Sequence, residues 1–452
     1  MTYQPVSESL APESCDLLIE ARYVIPVEPR GVVLEHHAVA VRDGVILAVL
    51  PIEEARRLFA ARDTVTRPEG VLIPGLINAH CHNPMTLMRG VADDLPLKQW
   101  LQEHIWPIEG AIMGPDYVAD GVAFAIAEML RGGTTCCNEN YFFPDVQAAT
   151  YKRYGFRARV GLPVIDFPTA WAKSDDEYFD RGGEVHDQWR DDGLIATAFA
   201  PHAPYTVSDD NFERIRMLAD QLDIPVHLHT HETAQEVQQS QEKHGQRPLA
   251  RLDRLGLVND RLIAVHMTQL TDAEIALCAG RGVSVVHCPE SNLKLASGFC
   301  PVARLERAGV TVAIGTDGCA SNNDLDMFGE LRTAALLAKA VADDAAAFDA
   351  ASALHAATLG SARAMGFDHL VGSIEPEKQA DLACIDLSAL ETQPLHHVLS
   401  QLVYATGRHQ VTDVWVAGKP KLRDRILVDM DIVALVANAK QWRARIGAVK
   451  VG

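Results

Sequence analysis

His80 and His82 flank a cysteine directly after the apolar run Val71–Ala79. In a β-strand, side chains two apart share a face. Imidazoles at i and i+2, at the end of a buried strand, can therefore hold one metal ion from one side. Neutral imidazole suits Zn²⁺ and its first-row neighbours. A single His-x-His is weak evidence. It gains force because later apolar runs also end on candidate ligands or proton carriers: Glu139, His202, His229 with Glu232, His266, His287 and Asp317.

The stretch Val226–Glu232 puts His227, His229 and His231 on one strand face. They cannot all bind the same ion. Glu232 has to reach substrate from just past the strand, so the ligand should be the nearest histidine still inside it. That favours His229, with His227 one layer deeper and His231 at the rim, and leaves the other two open. Asp317 sits between Gly315 and Gly318, which let substrate approach the backbone closely. It would complete a three-His, one-Asp site and could accept a proton from the attacking water.

A two-metal version of such a site needs a bridging lysine or carboxylate on the fourth run. Leu194–His202 contains none. The sequence thus predicts one divalent metal, Zn²⁺ by preference, with Fe²⁺ or Mn²⁺ also compatible, and a coordination position left for water. With one metal, His266 is free to hydrogen-bond that water.

Something must bring these residues to one face. Eight strand-like runs recur from residue 71 on: Val71–His82, Thr134–Glu139, Arg157–Val164, Leu194–His202, Pro225–Glu232, Arg261–Met267, Val283–Pro289 and Thr311–Gly318. Helical patterns lie between them, including 117–131, 208–221 with Ser208 as N-cap, 271–280 with a Thr-x-x-Glu capping box, and 324–342. Eight βα units predict a (β/α)₈ barrel, whose working residues come from the C-terminal strand ends. A doubly wound sheet is disfavoured because no Gly-x-Gly-x-x-Gly turn opens a helix.

The flanks are β-rich instead. Residues 17–25 and 38–49, with a turn at Arg42-Asp43-Gly44, and residues 381–387 and 411–417, with a turn at Gly418-Lys419-Pro420, should meet as one small β-sandwich. A closing helix over 432–446 would cover part of it. The expected organisation is thus 1–70 for the N-terminal part of the sandwich, 71–375 for the catalytic barrel, and 376–452 for the remainder with the terminal helix.

Composition excludes several classes. The chain has 452 residues, 41 basic against 60 acidic, and a formal charge of −19. That balance argues against a nucleic-acid backbone as partner. No apolar stretch approaches the ~18 residues of a membrane span. Nine cysteines without disulfide-like spacing, and an N-terminus without a basic and then apolar leader, predict a cytoplasmic protein with reduced thiols.

With these residues in view, the chain resembles the amidohydrolase superfamily in its cytosine-deaminase/chlorohydrolase-like branch. The carrying stretches are 74–82 (PGLINAHCH), 229–232 (HTHE), 287–295 (HCPESNLKL) and 315–318 (GTDG). Within the branch, 85–97, 106–109 (WPIE), 201–208 and 321–326 are similar to the 5′-methylthioadenosine/S-adenosylhomocysteine deaminases. The resemblance implies His80, His82, His229 and Asp317 as metal ligands and Glu232 and His266 as acid/base groups. It assigns Glu109 to the ribose 2′- and 3′-hydroxyls, and His202 would follow as a second ribose or purine contact.

A thioether at C5′ would need a soft apolar lining, for which Met85, Met88, Leu95, Trp100 and Phe143 are available. Arg157 or Arg89 could meet the carboxylate of S-adenosylhomocysteine. The implied activity is hydrolytic deamination of adenine nucleosides, and relatives suggest a homodimer or higher homo-oligomer. A guanine, 8-oxoguanine or triazine hydrolase of the same branch is the alternative. A non-enzymatic scaffold is remote, since all ligands and proton carriers are present.

Overall fold

A computed structural model describes residues 12–449. The N-terminal stretch read above for a leader lies outside the described residues. Eight parallel strands form the barrel: β1 (Leu76–Cys81), β2 (Thr134–Glu139), β3 (Arg157–Val164), β4 (Ile195–Pro201), β5 (Val226–Thr230), β6 (Leu262–His266), β7 (Ser284–His287) and β8 (Thr311–Ile314). Each pairs with the next in chain order. Closure from the last strand to the first is made just past β8, where the Asp317 N–H donates to the His80 carbonyl at 3.0 Å.

The predicted first run divides at Gly75. Residues 71–74 end the long strand Phe59–Pro74 of the other sheet, and β1 starts at Leu76. Gly75 is required where the chain crosses between the sheets, because a Cβ there would lie 2.1 Å from Thr135 Oγ1. All β1–β3 residues are buried, as strands with a packed barrel interior and a helical outer layer must be.

The flank strands form one mixed eight-stranded sheet. Glu13–Val24, Leu34–Arg42, Val45–Pro51 and Phe59–Pro74 join Leu382–Asp386, Val411–Val416, Lys419–Arg423 and Ile426–Leu427. Its halves fold over a shared core containing Ile19, Val39, Val65, Leu382 and Trp415. The Asp43-Gly44 turn has both residues in the left-handed region, as a two-residue hairpin demands. It meets the opposite turn so closely that a Cβ on Gly44 would lie 2.6 Å from the Ala417 carbonyl oxygen. That opposite turn is Ala417-Gly418, one residue earlier than predicted, and Lys419-Pro420 already belongs to a strand.

Helix caps follow the sequence signals. Ser208 and Thr271 accept the N–H of the third helical residue, and Glu274 completes the box at Thr271. The closing helix, Ile432–Gly447, differs from expectation in its neighbour. It packs on the barrel helix Pro115–Arg131 rather than on the sandwich. Trp442 explains this: its Nε1–H donates to Asp120 at 2.8 Å, and its ring meets Tyr117 edge-on at 5.3 Å. Among the described residues no helix is long and apolar enough to cross a membrane.

Candidate metal centre and active site

The C-terminal ends of β1 and β5, with the turn after β8, bring four ligand atoms together. His80, His82, His229 and Asp317 offer atoms that all lie within 4.8 Å of one another. Individual separations are tighter. His229 Nε2 is 3.2 Å from His80 Nε2 and 3.3 Å from His82 Nε2, while Asp317 Oδ1 is 3.2 Å from the first and 3.1 Å from the second. A tetrahedral site with ~2.0–2.1 Å bonds has edges of about 3.3–3.4 Å. Four of the six separations thus match a Zn²⁺-sized ion, and three imidazoles with a carboxylate are a donor set that zinc accepts.

The far sides of the rings fix their tautomers. His82 Nδ1–H donates to the Asn140 carbonyl, and His229 Nδ1–H donates to the His202 carbonyl at 2.6 Å. Both Nε2 lone pairs are thereby aimed inward. His80 Nδ1 meets His227 Nε2 at 2.9 Å, so His227 is the deeper-layer partner of a ligand and His229 is the ligand. His231, at the rim, instead accepts the Leu249 N–H at 3.0 Å.

Burial drives His80 down to about 3 and His229 well below its ordinary value, which keeps both neutral as ligands must be. His82 goes the other way. Burial lowers it, but the Asp317 carboxylate beside it raises it overall. A dication would take the place of that proton. Burial works to raise Asp317, yet hydrogen bonds with His80 and His82 hold it well below the usual carboxylate range. Its other oxygen, Oδ2, accepts from Ser291 Oγ at 2.6 Å and Ser321 Oγ at 2.8 Å.

Around this group lies a cavity of about 490 Å³. Glu232, His266, Glu109, His202 and Trp100 all line it. His266 Nδ1 donates to Asn292 Oδ1 at 2.9 Å, which leaves Nε2 as a lone-pair acceptor 3.9 Å from Glu232 Oε2. Burial raises the Glu232 carboxyl. Glu109 is buried, is pushed up to about 7 by desolvation, and accepts a hydrogen bond from Tyr141 Oη.

Four residues at the strand ends hold left-handed backbone without being glycine: His231 (φ 54°), His266 (φ 75°), Met267 (φ 48°) and Asp317 (φ 62°). Such conformations cost about 1–3 kcal/mol each and concentrate at functional sites. At Gly315 and Gly318 the space expected for substrate is filled by protein atoms instead. A Cβ on the first would lie 2.7 Å from the His80 nitrogen, and one on the second 2.9 Å from Met85 Sδ.

Five residues expected at the cavity do not line it. Arg157 is not at the cavity. It opens β3 at the N-terminal end of the strand, about 23 Å of strand away from the C-terminal mouth. There it is 1% exposed and ion-paired to Asp381 at 2.8 Å, and it also donates to the Gly193 carbonyl. Arg89, its companion, pairs with Glu128. Met88 is fully buried in the main core and does not line the cavity, whereas Met85, three residues earlier, does. Leu95 and Phe143 likewise pack against or within that core, and Tyr141, Phe142, Trp106 and Phe167 supply the aromatic lining instead.

Sequence reasoning assigned no role to the groups that hold the site residues. Ser291 and Asn292 lie in the helical turn Pro289–Lys294 after β7, and Ser321 in the turn Cys319–Asn322 after β8. The first two are within the 287–295 stretch and the third within 321–326, so the only signal was the resemblance itself. Tyr141 carries no period or spacing that marks it.

The amidohydrolase family model matches residues 71–421. A 5-methylthioadenosine/S-adenosylhomocysteine deaminase of Teredinibacter turnerae is 47% identical over 433 residues, spanning 96% of this chain and 98% of that protein. The zinc-bound crystal structure of an adenosine deaminase from Xanthomonas campestris is 76% identical, covers 97% of this chain and 100% of its own, and has a TM-score of 0.97. An atrazine chlorohydrolase from Arthrobacter aurescens, crystallised with zinc, shares 24% identity over 94% of this chain and 99% of its own, at a TM-score of 0.87. That last likeness concerns the fold alone.

Proposed function

The chain belongs to the amidohydrolase family, and we propose that it is a metal-dependent hydrolytic deaminase of adenine nucleosides. The substrate class is 5′-methylthioadenosine, S-adenosylhomocysteine and adenosine, converted to the 6-oxo purine with release of ammonia. The observation that carries this reading is Glu109. A buried carboxylate opens onto the same cavity as the metal group. Such a group can accept two O–H bonds from vicinal hydroxyls, since it offers about four lone-pair sites and Tyr141 occupies one. A hydrolase of free bases or triazines has no use for it there.

A zinc ion, the metal of the Xanthomonas relative, would be held by His80, His82, His229 and Asp317, and would supply water acidic enough to act as nucleophile near pH 7. The protein's own groups handle the protons. Attack at C6 puts negative charge on the ring unless N1 is protonated. Glu232, its carboxyl raised by burial, is the group placed to carry a proton to N1. That proton stays on N1 in the 6-oxo product, and a proton taken from the attacking water passes through Glu232 to the departing ammonia. His266, anchored through Nδ1 to Asn292, directs its Nε2 lone pair at the attacking water. Ser291 and Ser321 hold Asp317 through Oδ2, which leaves Oδ1 beside His80 and His82 for the metal they would share. His202 and Trp100 complete the nucleoside wall.

All nine cysteines are buried and free, which supports a reducing, cytoplasmic setting. A homodimer or higher homo-oligomer remains part of the reading, to be read from light scattering after size exclusion. The deciding assay is ammonia release from 5′-methylthioadenosine, S-adenosylhomocysteine, adenosine, guanine and atrazine. Turnover of the nucleosides is expected. Turnover of guanine or atrazine with none of an adenine nucleoside would overturn the proposal.

A further inference from the structure

The barrel helix Pro115–Arg131 and the closing helix Ile432–Gly447 border a second, open cavity of about 980 Å³. Its lining is unusual for a chain of net charge −19. Five arginines face it, against one carboxylate, Glu128. Arg89 and Arg408 share that carboxylate. The other three, Arg131, Arg425 and Arg443, have no carboxylate within ion-pair distance among the described residues.

Two of the unpaired cations are held close together. Arg131 donates to the Arg425 carbonyl at 3.5 Å, and Arg425 is lowered by burial and by the Arg131 charge. Arg425 also occupies a left-handed backbone (φ 64°) at a hairpin tip where glycine or asparagine would be relaxed. Its guanidinium nonetheless reaches the carbonyls of Arg408 and Val411, which present it to the cavity. Two guanidinium groups side by side without a carboxylate leave uncompensated positive charge on this wall of the cavity. The opposite wall is apolar, formed by Ile432, Leu435 and Val436.

We propose that this cavity binds a phosphate-bearing small molecule, its phosphate on Arg131, Arg425 and Arg443 and its apolar part against the closing helix. Guanidinium forks match phosphate oxygens in pairs, and each such bond is strong because both partners are charged. A deaminated product or a free nucleoside carries no such charge, so the ligand is not the substrate of the proposed reaction.

The test is calorimetric titration of the full chain, with its metal, using phenyl phosphate at constant ionic strength, and phenol as the uncharged comparison. Saturable binding of phenyl phosphate but not phenol is expected, weakened about tenfold or more in R131Q/R443Q, as the loss of charge-assisted bonds requires. Arg443 lies on an exposed helix surface, so R443Q alone folds and should already weaken binding. Ammonia release by these variants should stay at the parent level. Absence of saturable binding, or equal binding by the parent and R131Q/R443Q, would overturn the proposal without touching the deaminase reading.

Discussion

Glu109→Ala separates nucleoside from free-base chemistry. Charge-assisted hydrogen bonds contribute roughly 1.5–3 kcal/mol each, so two to the ribose amount to about 3–6 kcal/mol before compensation. Water entering the space left by the side chain returns part of this, and Tyr141 loses its acceptor in both free and bound enzyme. A net loss of about 2.7 kcal/mol, or ~10²-fold in kcat/KM, is the expected minimum on 5′-methylthioadenosine. On its 2′,3′-dideoxy analogue, which offers no hydroxyls, the loss should be far smaller. A pH signature accompanies it. Burial pushes Glu109 up to about 7, so the fully accepting carboxylate form grows as pH rises through that value. KM for ribosides should fall between pH 6 and 8 in the parent, and that limb should vanish in the variant. Equal losses on the ribosyl and dideoxy substrates, measured by ammonia release, would refute the assignment of Glu109 to the ribose.

Metal analysis should give about one equivalent of divalent transition metal per chain, since the described residues form a single four-ligand group; two equivalents, both needed for turnover, would contradict this. Glu232→Gln should keep the metal and still bind nucleoside while kcat drops by about 10²–10⁴, the range for a lost proton carrier; near-parental kcat would require another acid. Asn292→Ala frees the His266 ring and should lower kcat more than it raises KM, with metal content unchanged, as checked by steady-state kinetics beside metal analysis. Thermal stability of the chelated protein should fall between pH 6 and 9. Glu139 and Glu236 are pushed by burial to about 7 and about 8. A carboxyl raised on folding contributes stability below its unfolded value and loses it as pH rises through the folded one. A melting temperature that rose over that window would contradict the burial of these groups.

The strands were legible because each is a short apolar run with polar punctuation, and buried parallel strands must be apolar on both faces. β2 and β3 fall on the predicted bounds, Thr134–Glu139 and Arg157–Val164. The first run misled because nothing in a string of buried aliphatics marks where one sheet hands over to another. Only Gly75 does, and its meaning depends on Thr135, which is distant in sequence. Arg157 misled for a related reason. Composition says that a strand has an arginine, and only position along the strand says which mouth of the barrel it faces. As the first residue of β3, it could have been assigned to the N-terminal end, where Asp381 from the far flank receives it. The terminal helix was visible as amphipathic, but its partner was set by one tryptophan reaching Asp120.

The ligands of the metal group were readable for the same reason that their supports were not. A ligand must sit at a strand end and be His, Asp, Glu or Cys, which leaves few choices per strand. A support need only offer one hydrogen bond from anywhere nearby, so Ser291, Ser321, Asn292 and the carbonyls of Asn140 and His202 have no required type or spacing. Yet the supports decide the chemistry. His229 and His227 are equivalent in the sequence pattern. They differ because His229 Nδ1 finds a carbonyl that fixes its tautomer and frees Nε2, whereas His227 Nε2 is spent on His80. The same logic separates the two oxygens of Asp317: two serines saturate one and leave the other for the cation. Specificity of role at this barrel mouth is thus written in the turns that follow β7 and β8 as much as in the strands.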